Sequence, residues 1–249
     1  MGLHFLGHSL MHSHSHTNKI QVKDLTVYYH QTLALESISG TFEPGSLTAI
    51  IGPNGGGKST FIKALQKLIR PSKGSISHYC KNLCDTAYLP QKNEFDTSFP
   101  LTVFEVVGMG LLGQAGSFGA YTKDQITVIK KTLEKVGLSG FENRLIECLS
   151  GGQFQRMLFA RIFMQDASLI ILDEPFTAID TQTCTHLIKL ILDWNRQGKT
   201  VLVALHNLDL VEKYFPETVL LGRQCVGWGK TSKVLTEANI KKAFKNLMV

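Results

Sequence analysis

Apolar positions along the chain fall into short unbroken runs, separated by glycine-rich turns and by stretches whose apolar residues recur at helical spacing. The runs at 47–51, 168–172 and 200–205 have strand length and little alternation, which predicts strands of a parallel sheet buried on both faces. Two earlier stretches, 20–29 and 35–42, also read as strands, and Pro44-Gly45 turns the chain into the first buried run. Residues 61–69 form an amphipathic pattern that predicts a helix, which Pro71 to Gly74 stops. Strands follow at 75–79 and 86–89, the second broken by Pro90-Gln91. Turn formers dominate 92–121 around one apolar run, 103–109. Thr122 and Gln125 then have capping-box spacing, and Ile126, Ile129, Leu133 and Val136 recur with helical period until Gly137. Ser150 and Gln153 repeat the capping box before a helix to about Met164. A helix over 181–196, short strands within 218–228 and a last helix near 236–247 complete an α/β pattern, with 92–148 as a helical insertion.

The turn after 47–51 carries the clearest chemistry. Gly52-Pro53-Asn54-Gly55-Gly56-Gly57-Lys58-Ser59-Thr60 reads G-x-x-x-x-G-K-S between a strand and a helix, the context a phosphate-binding loop requires. Glycines let backbone N–H groups face phosphate oxygens, and the helix starting at Lys58 adds the positive end of its dipole. In this pattern Lys58 reaches the β- and γ-phosphates and Ser59 holds Mg²⁺. The helix opening at Ser150-Gly151-Gly152-Gln153 is a second potential anion site. The run 168–172 ends in Asp173-Glu174, carboxylates placed at the ligand crevice of an α/β sheet, and 200–205 ends in His206. Tyr29, at the end of the first strand, has a ring to stack on adenine, and Tyr28 competes with it because neighbouring strand residues face opposite ways.

Bulk properties exclude several classes. A chain of 249 residues with 43% hydrophobic and 18% charged residues has the material for a buried core. No apolar stretch reaches the length of a membrane span, and no basic-then-apolar start marks a secretory signal. The net charge of +6 suits anionic partners, yet no basic block interleaved with aromatics indicates nucleic acid. Five irregularly spaced cysteines fit a reducing compartment rather than a disulfide framework. Cys80 and Cys84, with His78 close by, could share a metal, but no second half-site with zinc spacing follows. Residues 1–18 read as a flexible tail; their His4, His8, His12, His14 and His16 could bind Zn²⁺ loosely.

From about residue 20 to its end, the chain resembles the ATP-binding subunit of an ATP-binding-cassette (ABC) transporter. The matching elements come in the family's order: phosphate loop 52–60, glutamine loop at Gln91, signature Leu149–Gln153, Asp173-Glu174, aspartate loop Thr177-Ala178-Ile179-Asp180, and switch His206. The resemblance implies an α/β P-loop NTPase core with a parallel central sheet, an antiparallel β subdomain and a helical insertion carrying the signature, within an ATPase domain of 19–249 whose helical subdomain spans about 92–165. It also implies roles. The loop Gly52 to Thr60 holds ATP; Ser59, Gln91 and Asp173 hold Mg²⁺; Glu174 is the general base, His206 orients it and touches the γ-phosphate; Gln91 reports on the membrane partner. Tyr29 and Asp180 belong to the nucleotide site, and Ser150, Gly151, Gly152 and Gln153 meet the ATP of the opposite subunit in a head-to-tail homodimer. Three departures stand out: Gly56 where the family has Ser or Ala, Phe154 in place of glutamine, and Ile179 in place of leucine.

The stretches 89–103, 106–110, 153–156 and 173–180 resemble zinc and manganese importers, the zinc type most closely. That implies separate transmembrane permease subunits, an extracytoplasmic metal-binding protein as indirect partner, and a place at the cytoplasmic face of the bacterial inner membrane. Manganese or iron import, or a soluble ATPase outside transport, are the alternatives. A chromosome-maintenance ATPase is disfavoured because 70–148 is too short for its coiled coil and carries no heptads. Phe95, Phe99, Leu101, Val103 and Phe104 are expected to line an exposed groove for a permease helix.

Overall fold

The computed structural model describes residues 19–78, 86–91, 95, 97–111, 121–177 and 179–247; the histidine segment 1–18 and the Cys80/Cys84 pair lie outside them. The three apolar runs become β3 (Leu47–Ile51), β6 (Leu169–Asp173) and β7 (Thr200–Ala204), buried at every position. They sit in a six-stranded sheet of order β5 (Thr86–Leu89), β6, β7, β3, β8 (Glu217–Gly222), β9 (Gln224–Lys230). Neighbours pair in parallel except β8 and β9, an antiparallel edge hairpin. A separate antiparallel sheet has the order β2 (Thr32–Phe42), β1 (Ile20–Tyr29), β4 (Lys73–His78).

Alternation within the central strands explains why they read as unbroken apolar runs. Ala49, Ile170, Leu172, Val201 and Val203 face one core, while Ile50, Leu169, Ile171, Leu202 and Ala204 face another. The first core is closed by α3 (Lys123–Lys135), α4 (Gly151–Gln165) and α5 (Thr181–Arg196), with Phe159 of α4 stacked on Trp194 of α5 at 5.6 Å. The second is closed by the antiparallel sheet and by α1 (Lys58–Leu65). There Phe42 of β2 and Phe61 of α1 meet Trp228 of β9 at 4.5 and 6.0 Å. Phe42 and Phe61, both fully buried, contribute about 1.5–3 kcal/mol each on burial, and with the partly buried Trp228 they tie the small sheet to the helix that follows the phosphate loop.

Several boundaries differ from the sequence expectation. Helix α1 ends at Leu65 rather than 69, because Lys67 adopts a left-handed backbone (φ 60°). Gly74 does not stop a segment but lies inside β4, beside a register shift in its pairing with β1; a Cβ there would meet the carbonyl oxygens of Lys23 and Asp24 at 2.3 Å. The run at 103–109 forms α2 (Val103–Gly108), started by a capping box between Thr102 and Glu105. A helix not anticipated, α6 (Leu208–Tyr214), is capped by Asn207. The final segment holds two helices, α7 (Thr231–Val234) and α8 (Glu237–Lys245).

The expected exposed groove is also corrected. Of its five residues only Phe99 is well exposed (63%). Val103 is fully buried, Leu101 packs against the first core, and Phe104 meets Tyr121 edge-on at 5.5 Å. Phe95 meets the buried Phe154 edge-on at 5.7 Å, which gives the unusual Phe154 a packing partner. The apolar face of α2 is spent on α4 rather than left for a partner. Among the described residues no helix is long and apolar enough to cross a membrane.

Candidate functional site

Strands β5, β6, β7 and β3 are consecutive in the sheet and parallel, so their carboxyl ends open on one edge. Gln91 follows β5, Asp173-Glu174 end β6, His206 follows β7, and the phosphate loop follows β3. The register pairs Asp173 with Ala204, and Glu174 N donates to Ala204 O at 3.2 Å. This brings the Glu174 and His206 side chains together, with His206 Nε2 in contact with Glu174 Oε1. Both border an open cleft of about 440 Å³ with Asn54, Gly55, Gly57, Lys58, Ser59, Thr60, Gln91 and Ala34.

The loop's local geometry follows from its glycines. A Cβ on Gly52 would lie 2.2 Å from Leu221 O, so no other residue fits there. Gly57, with φ 93°, is the N-cap of α1 and offers no side-chain cap. The first N–H groups of the helix are thereby left for a ligand, as an anion site needs. Lys58 Nζ donates to Gly52 O at 2.9 Å and Pro53 O at 3.2 Å, bonds that phosphate oxygens can replace. Burial lowers the Lys58 pKa, while the Glu174 and Asp173 carboxylates oppose that shift. Gln91 Nε2 donates to Ser59 Oγ at 3.3 Å. Ser59, Gln91 and the buried carboxylate of Asp173 thus supply hard oxygen donors around Lys58, a donor set that fits Mg²⁺. Glu174 has a left-handed backbone (φ 51°), a conformation a non-glycine residue keeps only where its surroundings hold it.

Other expected site residues lie elsewhere in the fold. Ser150 caps α4 in a reciprocal capping box with Gln153, at 3.3 and 3.0 Å. None of Ser150, Gly151, Gly152 and Gln153 lines the cleft. Gly152 faces α5 instead: a Cβ there would sit 3.5 Å from Asp180 Oδ2 and from Thr183 Oγ1. Asp180 is the N-cap of α5, accepting from Thr183 N at 2.8 Å and Thr183 Oγ1 at 2.7 Å, bonds that lower its pKa. Tyr28 and Tyr29 are equally exposed (45%) and neither lines the cleft. Ala34, which does line it, has no side-chain feature that sequence reasoning could have singled out.

A glycine loop before a helix, a buried lysine at that helix's first turn, and a glutamate–histidine pair across the cleft define a P-loop ATPase. The profile of the ABC transporter family matches residues 35–177. The chain is 35% identical over 235 residues to the manganese transport system ATP-binding protein MntA of Synechocystis, covering 92% of this chain and 90% of that protein. It is 37% identical over 229 residues to the zinc transport system ATP-binding protein TroB of Treponema pallidum, covering 90% and 86%. Among solved structures, it superposes with TM-score 0.80 and 28% identity on a metal-chelate-type ABC transporter in an inward-facing conformation, covering 92% and 90%. The chain belongs to the ABC transporter family, as an ATP-binding subunit and an ATPase.

Proposed function

We propose that this chain is the ATP-hydrolysing subunit of a divalent-metal importer, with zinc favoured over manganese. It works as a head-to-tail homodimer at the cytoplasmic face of the inner membrane, beneath separate permease subunits that receive metal from an extracytoplasmic binding protein. The observation that carries the reading is the division of the site. Lys58, Ser59, Gln91, Glu174 and His206 share one cleft, whereas the signature helix opens outside it. A second copy, turned head to tail, supplies Ser150 and its neighbours to the γ-phosphate at the amino end of α4.

In this reading Lys58 and the loop amides hold the β- and γ-phosphates, and Tyr29, with Tyr28 as its competitor, stacks on adenine. Ser59, Gln91 and Asp173 would hold Mg²⁺, which when bound would neutralise phosphate charge. Glu174 accepts a proton from the attacking water, and His206, in contact with Glu174, orients it. Asp180, the cap of α5, lies beside Gly152 of the signature in its own chain.

Cargo follows from kinship. MntA is named for manganese and TroB for zinc, so the divalent-metal class has support from both. The five histidines within residues 1–18 favour zinc, and MntA supports manganese as the second reading. The test is growth of a deletion strain under chelation, with single metals added back. Rescue by zinc alone supports the proposal and rescue by manganese alone supports the second reading. Unchanged growth together with unchanged cellular zinc and manganese overturns metal import.

A further inference from the structure

The phosphate loop is held from behind by the turn that joins β8 to β9. Arg223, between the two strands, donates its N–H to Gly56 O at 3.0 Å and accepts from Glu36 N at 2.9 Å through its own carbonyl. Gln224 Nε2 adds a bond to Glu36 Oε2 at 2.8 Å. Leu221 O fills the place of a Cβ on Gly52, and would lie 3.2 Å from one on Gly56. One side of the loop therefore rests on the main chain of 221–223, and that main chain is fastened in turn to β2.

The fastening is conditional on backbone shape. Arg223 is left-handed, with φ 59°, and only in that conformation does the turn present its N–H to the loop and its carbonyl to Glu36. Among the described residues little backs the turn on its outer side, where an open cleft of about 300 Å³ runs between Leu33, Glu36, Arg223 and Asn246. What does back it is α8: a Cβ on Gly222 would fall 2.5 Å from Ala243 O.

We propose that Arg223 is a positioning residue for ATP binding: its main chain straps the phosphate loop through Gly56, and α8 is the buttress that sets the strap. Gly56 fits the same picture. A Cβ there would meet Pro53 O at 2.9 Å and Leu221 O at 3.2 Å, so glycine suits a loop pressed between Pro53 and Leu221. The proposal rests on the ATP-site reading given above, since the quantity it changes is the affinity of that site for ATP.

The test compares three variants. Arg223→Val puts a β-branched residue where φ is positive, and should raise the KM for ATP about fivefold or more with kcat within about twofold. Arg223→Gly tolerates the same backbone and should rescue KM, because the strap uses no guanidinium. Gly222→Ala pushes the turn against α8 and should raise KM in the same sense. Hydrogen exchange read without ATP should show faster exchange of the 52–60 amides in Arg223→Val and Gly222→Ala, and it decides the strap even if a variant hydrolyses nothing. An unchanged KM and unchanged exchange in both variants overturn the proposal. So does a loss of folded fraction and kcat at constant KM, which marks a role in stability alone, or a failure of Arg223→Gly to rescue. Should Arg223→Val not fold, Gly222→Ala carries the test. A wild-type chain without ATPase activity would instead remove the ATP-site reading, leaving the exchange result to judge the strap.

Discussion

Glu174→Gln separates the proposed base from its scaffold. The amide has the volume of the carboxylate, and glutamine, unbranched at Cβ, keeps the left-handed backbone at the same small cost. Its carbonyl oxygen can still accept from His206 Nε2, so the contact across the cleft survives. Lys58 keeps its bonds to Gly52 O and Pro53 O, and Asp173 still favours its charge. What disappears is proton acceptance from water. A positioned general base contributes about 10²–10⁴-fold, or roughly 3–5 kcal/mol of barrier. ATP affinity should hold or improve, because a negative charge near the phosphates is gone. Without hydrolysis, bound ATP should also trap the closed homodimer. Phosphate release at saturating Mg-ATP measures the first effect, equilibrium ATP binding the second, and size-exclusion chromatography with and without ATP the third. A kcat within tenfold of wild type, with an oligomeric state indifferent to ATP, would refute the assignment of Glu174.

The composite site predicts that Lys58→Ala loses ATP binding while Ser150→Arg keeps binding and loses hydrolysis. Mixing the two should restore activity through one intact site per heterodimer, and equal loss of ATP binding in both would rule out a signature acting in trans. Phe154→Ala removes a ring that is 3% exposed and seated on Phe95, and should lower stability by about 3–5 kcal/mol in denaturant melts. A loss under about 1 kcal/mol would show that α4 does not depend on this pair. The Asp180 carboxyl, bonded by the Thr183 hydroxyl and amide, should titrate below 3.8. A lowered acid pKa means that the cap is fully present above 3.8 and is lost as pH falls through the lowered value. Carbon NMR titration of the carboxyl checks this, and a midpoint at or above 3.8 would contradict it.

How much of the fold could be read from the chain depends on how each contact is encoded. Strands β3, β6 and β7 were legible because burial on both faces leaves no polar interruption, and helices α3 and α4 because a capping box marks the start of each. The run at 103–109 was too short for period to separate helix from strand. Gly74 misled because a glycine at a bulge and a glycine at a stop look alike in one dimension. Phe95 and Val103 misled for a related reason: apolar residues in a turn-rich stretch have no visible partner until α4 is folded against them.

The same distinction divides the site. Glu174 and His206 could be found because each follows a buried strand closely, Gln91 through the family resemblance, and a parallel sheet sends all three positions to one edge. Their meeting was not in the sequence, since it requires β6 and β7 to be neighbours with Asp173 opposite Ala204. Phosphate-loop support lies further from view. Leu221 O acts through a carbonyl and Arg223 through an amide and a carbonyl, groups that every residue but proline carries, so side-chain identity says nothing of them. The traces left behind are indirect: glycines at 52 and 222 where a neighbouring carbonyl has taken the place of a Cβ. A glycine far from any motif is therefore informative when the backbone filling its missing Cβ belongs to an element that touches the site, and Gly222, filled by Ala243 of α8 and adjacent to the residue bonded to Gly56, meets that condition.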